Sequence, residues 1–306
     1  MTLGLIGCGI WGKLILNELL QLKVFIKVYD LNSKVREQIA NKYPVEVYEC
    51  LNSLKGVDGV IIASDSSTHY QLLVELSNWD VPIFVEKPLT TSYEDALKLV
   101  SKVNHKKIFM MHIWRYHSGI QMLSELVRQK KVGEVKSLHT YRCNWTSPRF
   151  DTDTLWNLIP HDLTIALQIL GYIPEPKYAV AEFHFAKIRD MVAILGNSPF
   201  VKIEISNRSP NKIREVRLQG TEAVAILKDE NINYVEVYYG NSETYPVPSK
   251  CERFYLKEES ALQKELKAFI SFLKGGAPPI STFYEGVETI RLVSQLNQMA
   301  NKNANI

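Results

Sequence analysis

Leu3-Gly4-Leu5-Ile6-Gly7-Cys8-Gly9-Ile10-Trp11-Gly12 is the stretch whose reading decides the fold of this chain. The apolar run Leu3 to Ile6 predicts a buried strand, and Leu14, Ile15, Leu19, Leu20 and Leu22 then recur at helical spacing. The glycines therefore occupy a strand-to-helix junction, where backbone N–H groups and the helix dipole attract phosphate. Each glycine has its own steric reason. Gly7 permits a tight turn, Gly9 lets a pyrophosphate approach the backbone, and Gly12 lets the helix pack against the strand. Cys8, Ile10 and Trp11 complete the loop, and Cys8 contributes its backbone rather than its thiol.

A second apolar-rich strand, Val24 to Tyr29, ends at Asp30, 23 positions after Gly7. A carboxylate at the tip of strand two accepts hydrogen bonds from ribose hydroxyls and repels a 2′-phosphate, so NAD is the expected cofactor. NADP stays possible, because Asn32, Ser33, Lys34 and Arg36 are close enough in sequence to hold a phosphate. The plainer alternative is a glycine turn that binds nothing, with Asp30 capping the next helix. The alignment of strand, loop, helix, strand and acid argues against it.

The chain has 306 residues, which suggests two domains of roughly 100 to 200 residues each. In the first third, strands at Val57 to Ala63, Val81 to Val85 and Ile108 to His112 alternate with helices at Tyr70 to Trp79 and Tyr93 to Val103. That order predicts parallel βαβ units. Past the helix Ile120 to Gln129 come mainly strands: Val135 to Trp145, Lys177 to Phe185, Arg189 to Leu195, Val201 to Asn207, Arg214 to Gly220 and Ala223 to Lys228. Their succession predicts a second, mostly antiparallel sheet. The expected class is thus α/β, with a Rossmann dinucleotide-binding domain over 1–118 and, over 119–306, an α+β domain carrying a large, mostly antiparallel sheet for substrate binding and oligomerisation.

With 36 basic and 33 acidic residues and no basic block, the chain lacks the electrostatic footprint of a nucleic-acid or acidic-membrane binder. A small molecule is the expected partner. Cys8, Cys50, Cys143 and Cys251 have neither CxxC nor Cys/His spacing, so no disulfide framework and no metal site are expected. No leader-like segment or run of about 18 apolar residues occurs, and a reduced, cytoplasmic protein is expected.

Open parallel sheets bind ligands beyond the carboxyl ends of their strands. Glu86-Lys87-Pro88 lies at such an end, after the run Val81-Pro82-Ile83-Phe84-Val85. Pro88 fixes its own φ and restricts Lys87, so the ammonium is aimed and can polarise a carbonyl or hydroxyl. Taken alone, the tripeptide would read as a turn with a surface salt bridge.

Together, Gly7 to Gly12, Asp30, Ser64-Asp65-Ser66-Ser67-Thr68-His69 and Glu86-Lys87-Pro88 resemble the glucose-fructose oxidoreductase, inositol dehydrogenase and MocA family (Gfo/Idh/MocA). Further on, Asp153 to Leu163, with Pro160-His161-Asp162, is similar to the family's active-site helix, Ser206 to Arg214 to a sheet segment, and Glu285-Gly286-Val287 to its terminal helix. The resemblance implies an NAD(P)-dependent oxidoreductase acting on a sugar, polyol or nucleotide sugar. It implies Lys87 as electrostatic catalyst and His161 as acid/base. Where the family commonly has an aspartate or glutamate four residues before the histidine, this chain has Asn157, which cannot ionise. Asp162 or Asp153 is a candidate to compensate.

Implied cofactor contacts are Gly7, Cys8, Gly9, Ile10, Trp11, Gly12, Asp30, Ser64, His69, Glu86, Lys87 and Arg115. Implied substrate contacts are Lys87, Tyr116, Arg149, Asn157, His161 and Asp162, the Arg149 fork being suited to a carboxylate or phosphate. Tyr234, Tyr238 and Tyr239 alternate on a strand and suit sheet packing or a subunit interface; a homodimer or homotetramer is what the resemblance implies. Two other classes compete with the dehydrogenase: a non-catalytic NAD-dependent sensor, which Asn157 favours, and an NAD-requiring glycosidase.

Overall fold

The structure, a computed structural model, describes residues 1–146, 153–240 and 250–304. Arg149 lies outside the described residues. The chain forms two compact units, Met1–Ile113 with Ser260–Ile290, and Trp114–Glu259 with Arg291–Ile306.

The first unit runs β1 (Thr2–Ile6), α1 (Ile10–Gln21), β2 (Phe25–Tyr29), α2 (Ser33–Lys42), β3 (Glu46–Tyr48), β4 (Gly59–Ile62), α3 (His69–Leu76), β5 (Ile83–Glu86), α4 (Tyr93–Lys102) and β6 (Ile108–Met111). Its six strands are all parallel, in the order β3-β2-β1-β4-β5-β6, the doubly wound dinucleotide-binding order. Every residue of β4, β5 and β6 is buried, as strands covered on both faces require. α2 and β3 are elements that the sequence pattern alone does not mark. β3 is a three-residue edge strand with only half-buried apolar side chains, too short to show a period.

In the second unit, α5 (Ser118–Arg128), β7 (Val135–Trp145) and α6 (Thr154–Leu170) precede β8 (Pro176–His184), β9 (Lys187–Gly196), β10 (Phe200–Ser206), β11 (Arg208–Gly220), β12 (Ala223–Leu227), β13 (Tyr234–Tyr239) and β14 (Lys250–Tyr255). The eight strands form one sheet, β14-β13-β12-β11-β7-β10-β9-β8. All neighbours are antiparallel except β7 and β10, which the long connection through α6, β8 and β9 allows to run in parallel. α6 packs over β7, β9 and β10, and α5 over β12 and β13. Alternating burial along β9, β10 and β12 shows that these strands bury one face.

The remaining helices are α7 (Ala261–Leu273), which belongs to the first unit, and α8 (Phe283–Ala304), divided between the units after Ile290. The sequence boundary at 118/119 is therefore crossed again by a return of the chain. Leu262, Leu266, Phe269 and Ile270 of α7 complete the core around Leu5, Ile15, Phe84 and Phe109, so burial of that stripe brings the segment back. Among the described residues no helix is long and apolar enough to cross a membrane.

Candidate functional site

The glycine loop is built by close approach. Gly7 has φ +85°, and a Cβ there would meet Ser64 Cα and N at 2.5 Å; one at Gly12 would lie 2.2 Å from Gly7 O. A Cβ on Gly9 would meet nothing within 4 Å, no side chain caps α1 at Gly9, and Ile10 beside it is 89% exposed. Gly9 is thus not required by internal packing. Its backbone and the first N–H groups of α1 face open space, the arrangement a pyrophosphate fits.

Asp30 ties this loop to the end of β2. Its Oδ2 accepts from Cys8 N at 2.7 Å and its Oδ1 from Asn32 N at 2.8 Å, so the Cys8 backbone has a structural partner. Burial, with the Asp30 charge adding to it, pushes the Cys8 thiol up to about 12, which excludes thiolate chemistry. Of the residues considered for a 2′-phosphate, Asn32 caps α2 by accepting from Lys34 N and Val35 N. Arg36 Nη1 donates to the carbonyls of Asp30 and Leu31 at 2.9 and 3.0 Å. Both are engaged by the protein itself.

Two further segments converge beside the loop. Ser64 shares a hydroxyl hydrogen bond with Thr68 at 2.7 Å. His69, expected at the cofactor, is fully buried instead: Nδ1 lies 2.8 Å from Pro88 O and Nε2 3.2 Å from Ser64 O. It braces the loop after β5 against the loop after β4, and burial holds its pKa below the ordinary value. Glu86, also expected at the cofactor, is buried and accepts a short hydrogen bond from the Trp11 indole N–H through Oε1. Its Oε2 accepts from Lys87 N at 3.1 Å, and the Lys87 charge pulls the Glu86 carboxyl down against its burial. The glycine loop is thereby joined to Glu86-Lys87-Pro88 through one carboxyl.

In the second unit, Asp153 is the N-cap of α6, accepting from Trp156 N at 3.2 Å, and its other oxygen accepts from Ile188 N at 3.3 Å. Asn157 and His161 sit one turn apart on a half-buried face of α6, with Gln168 further along it. Arg115, expected at the cofactor, donates from Nε to Gln168 Oε1 at 3.2 Å. Pro160, between Asn157 and His161, lacks an N–H and removes one helical hydrogen bond there.

Asp162, expected at the substrate, points the other way. It forms a buried bidentate pair with Arg142 of β7, Nε to Oδ2 at 3.0 Å and Nη2 to Oδ1 at 3.3 Å. It therefore has no surface to offer a ligand, and Asp153, like it, is engaged by the protein itself. The Arg142 guanidinium lies 4.4 Å over the Trp114 ring, which stacks on His117 with centroids 5.0 Å apart. Tyr116, another expected substrate contact, is buried beside them. Arg142 escaped the sequence reading because nothing in an alternating strand marks which arginine turns inward.

The first unit is an NAD-binding Rossmann domain of an oxidoreductase: residues 1–112 match the family described as "Oxidoreductase family, NAD-binding Rossmann fold". By that domain the chain is similar to the Gfo/Idh/MocA family. It is 25% identical to the UDP-N-acetylglucosamine 3-dehydrogenase of Acidithiobacillus ferrooxidans, over 98% of this chain and 96% of the relative. A crystal structure of that enzyme covers 99% of this chain and 98% of its own, with a TM-score of 0.86 and 23% identity. The WlbA dehydrogenase of Bordetella pertussis, solved with NADH and UDP-GlcNAcA, shares the fold at a TM-score of 0.83 and 16% identity, covering 99% of this chain and 97% of its own. Inositol 2-dehydrogenase of an Arthrobacter strain is 34% identical over 33% of this chain and 30% of the relative.

Proposed function

We propose that this protein is an NAD-dependent dehydrogenase or ketoreductase acting on a hydroxyl or keto carbon of a sugar or polyol, with a nucleotide sugar as the leading substrate class. The observation that carries this is the Trp11–Glu86–Lys87 connection, which joins the backbone of the lysine to a dinucleotide loop whose Gly9 backbone faces open space. Similarity over nearly the whole chain to a nucleotide-sugar dehydrogenase supports the substrate class.

NAD, when bound, supplies the hydride acceptor for the substrate carbon. Gly7, Gly9, Gly12 and the first amides of α1 hold its pyrophosphate, and Asp30 takes the ribose hydroxyls with its remaining lone pairs. The Lys87 ammonium lowers the energy of negative charge developing on the reacting oxygen. His161 takes or returns the hydroxyl proton. Asn157, one turn away, hydrogen-bonds without ionising, and Arg149 binds substrate carboxylate or phosphate. Asp162 acts on the reaction only by positioning α6.

The test is absorbance at the reduced-nicotinamide band with NAD and a panel of polyols, sugars and UDP- or dTDP-sugars, and the reverse assay with NADH. Turnover on any member supports the dehydrogenase. Asn157 favours a second reading, an NAD-dependent sensor without turnover. Silence across the panel, with NAD binding shown by calorimetry and Asn157→Asp equally silent, would favour it. A homo-oligomer built through the second sheet is proposed as well, and light scattering on the purified chain tests it.

A further inference from the structure

The first unit holds a second acidic group that none of these roles uses. Glu265 lies on the apolar stripe of α7 among Leu262, Leu266 and Phe269, with no exposed surface. Helix direction and strand register show what it faces. Near the end of α7, Leu273 abuts Gly59 at the start of β4. One turn earlier, Phe269 stacks on Phe84 of β5, with centroids 4.9 Å apart and 24° between planes. α7 therefore runs antiparallel to the strands. Glu265 is four residues back from Phe269, about 6 Å of helix rise. Glu86 is two residues on from Phe84 on the same strand face, about 6.6 Å of strand rise. The next pair beyond the aromatic stack is thus Glu265 with Glu86, and the Glu86 charge acts on the Glu265 carboxyl.

The surroundings of the pair decide its charge. The Trp11 indole N–H donates to Glu86, and the Lys87 charge acts on it. No side-chain donor among the described residues hydrogen-bonds either Glu265 oxygen, so the hydrogen that can link it to Glu86 is a carboxyl proton of the pair's own; the His112 backbone amide pulls the Glu265 carboxyl down against its burial. The Lys87 charge acts on Glu86, whereas the charge that acts on Glu265 is that of Glu86 itself, and like charges so placed cannot both ionise. We propose that Glu86 and Glu265 hold one proton between them, resident on Glu265, and that this neutral acid is a positioning residue: it steadies the Glu86 carboxylate that fastens both Trp11 and Lys87. Burial, reinforced by Glu86, raises the Glu265 carboxyl well above its ordinary range. Burial also lifts Glu86, to about 7, against the pull of Lys87 and Trp11. What the pair does for turnover rests on the role proposed above for Lys87; the shared proton and its effect on the glycine loop do not.

The experiment reads the proton and the loop without any sugar substrate, so failure of the dehydrogenase reading leaves it intact. Infrared difference spectra at neutral pH should show a protonated buried carboxyl band in the wild type that Glu265→Gln removes. In NADH titrations followed by nicotinamide fluorescence, Glu265→Gln, which is neutral and still a donor, should bind within about twofold of the wild type. Glu265→Met, with no donor, should bind about tenfold more weakly, the scale of one lost hydrogen bond to a charged group. A band that survives Glu265→Gln, or wild-type NADH affinity in a folded Glu265→Met protein, overturns the proposal. Should Glu265→Met fail to fold, the infrared result on Glu265→Gln decides alone.

Discussion

Replacing one member of the Arg142–Asp162 pair should damage the second unit more than most single changes do. The two side chains are 5% and 1% exposed, so the small worth of a solvent-screened surface pair does not apply. At an effective dielectric of about 20, unit charges about 4 Å apart attract by roughly 4 kcal/mol. Removing one partner leaves the other charge buried, which costs about 3–5 kcal/mol. Arg142→Ala and Asp162→Ala are each expected to lose that much. The pair is not simply stabilising, however: burial holds the Asp162 carboxyl above its ordinary range despite the pull of Arg142. Desolvation outweighs the attraction, so an apolar pair of similar volume, Arg142→Met with Asp162→Leu, should come within about 2 kcal/mol of the wild type. Urea unfolding of the two alanine variants and their double variant closes one thermodynamic cycle, and the apolar double variant is measured beside it, with Trp emission and circular dichroism as probes. Trp114, 4.4 Å under the guanidinium, reports locally. Single losses below about 1 kcal/mol, or an alanine double variant whose loss equals the sum of the singles, would refute the reasoning.

Lys87→Ala and His161→Ala should each lower turnover by about a hundredfold or more while NAD affinity measured by calorimetry stays within a few fold; unchanged turnover in both removes their assigned roles. Gly7→Ala should abolish NAD binding or folding, because φ is +85° and the new Cβ would meet Ser64 backbone atoms at 2.5 Å, whereas Gly9→Ala, which meets nothing within 4 Å, should fold normally and lose affinity for NADH. Stability should depend on pH in a stated direction. Glu86 rises from 4.5 to about 7 in the fold and Glu265 rises too, so the native state binds more protons than the unfolded chain across that window. Stability is then full below about pH 4.5 and falls as pH climbs to about 7, by about 3 kcal/mol for Glu86 alone; the Glu86 part levels off above that, while Glu265 carries the decline on until its own raised pKa is passed. Urea midpoints across pH test this, and Glu86→Gln should flatten much of the slope.

The first unit was legible because its signals are local. A glycine loop between a strand and a helix, and an acid at the tip of the next strand, each answer to backbone sterics within about 30 residues of chain. The second sheet was legible for most of its strands from alternation, yet β14, unassigned from the sequence, sits beyond β13 as an edge strand with no buried residue. Glu265 left a trace that could have been followed: a carboxylate at the second position of the stripe Leu262, Glu265, Leu266, Phe269 breaks an amphipathic pattern where no solvent-facing residue belongs. His69 and Asp162 were misplaced for a common reason. Each sits beside a residue expected to act, and chain proximity does not say whether a side chain turns toward ligand or core.

The sequence by itself determined the doubly wound first unit, its NAD-binding class, the position of Lys87 at a strand end and the sharing of one helical face by Asn157 and His161. These follow from periodicity and steric demands that neighbouring residues impose on one another. Only the tertiary structure decided that Asp162 is spent on Arg142, that His69 is a brace, that Trp11 and Lys87 meet on one carboxyl of Glu86, and that a helix from beyond residue 260 supplies the acid behind it. The longer of those pairings span from 19 to well over 100 positions, and burial and desolvation, which set their charges, exist only once the chain has closed around them.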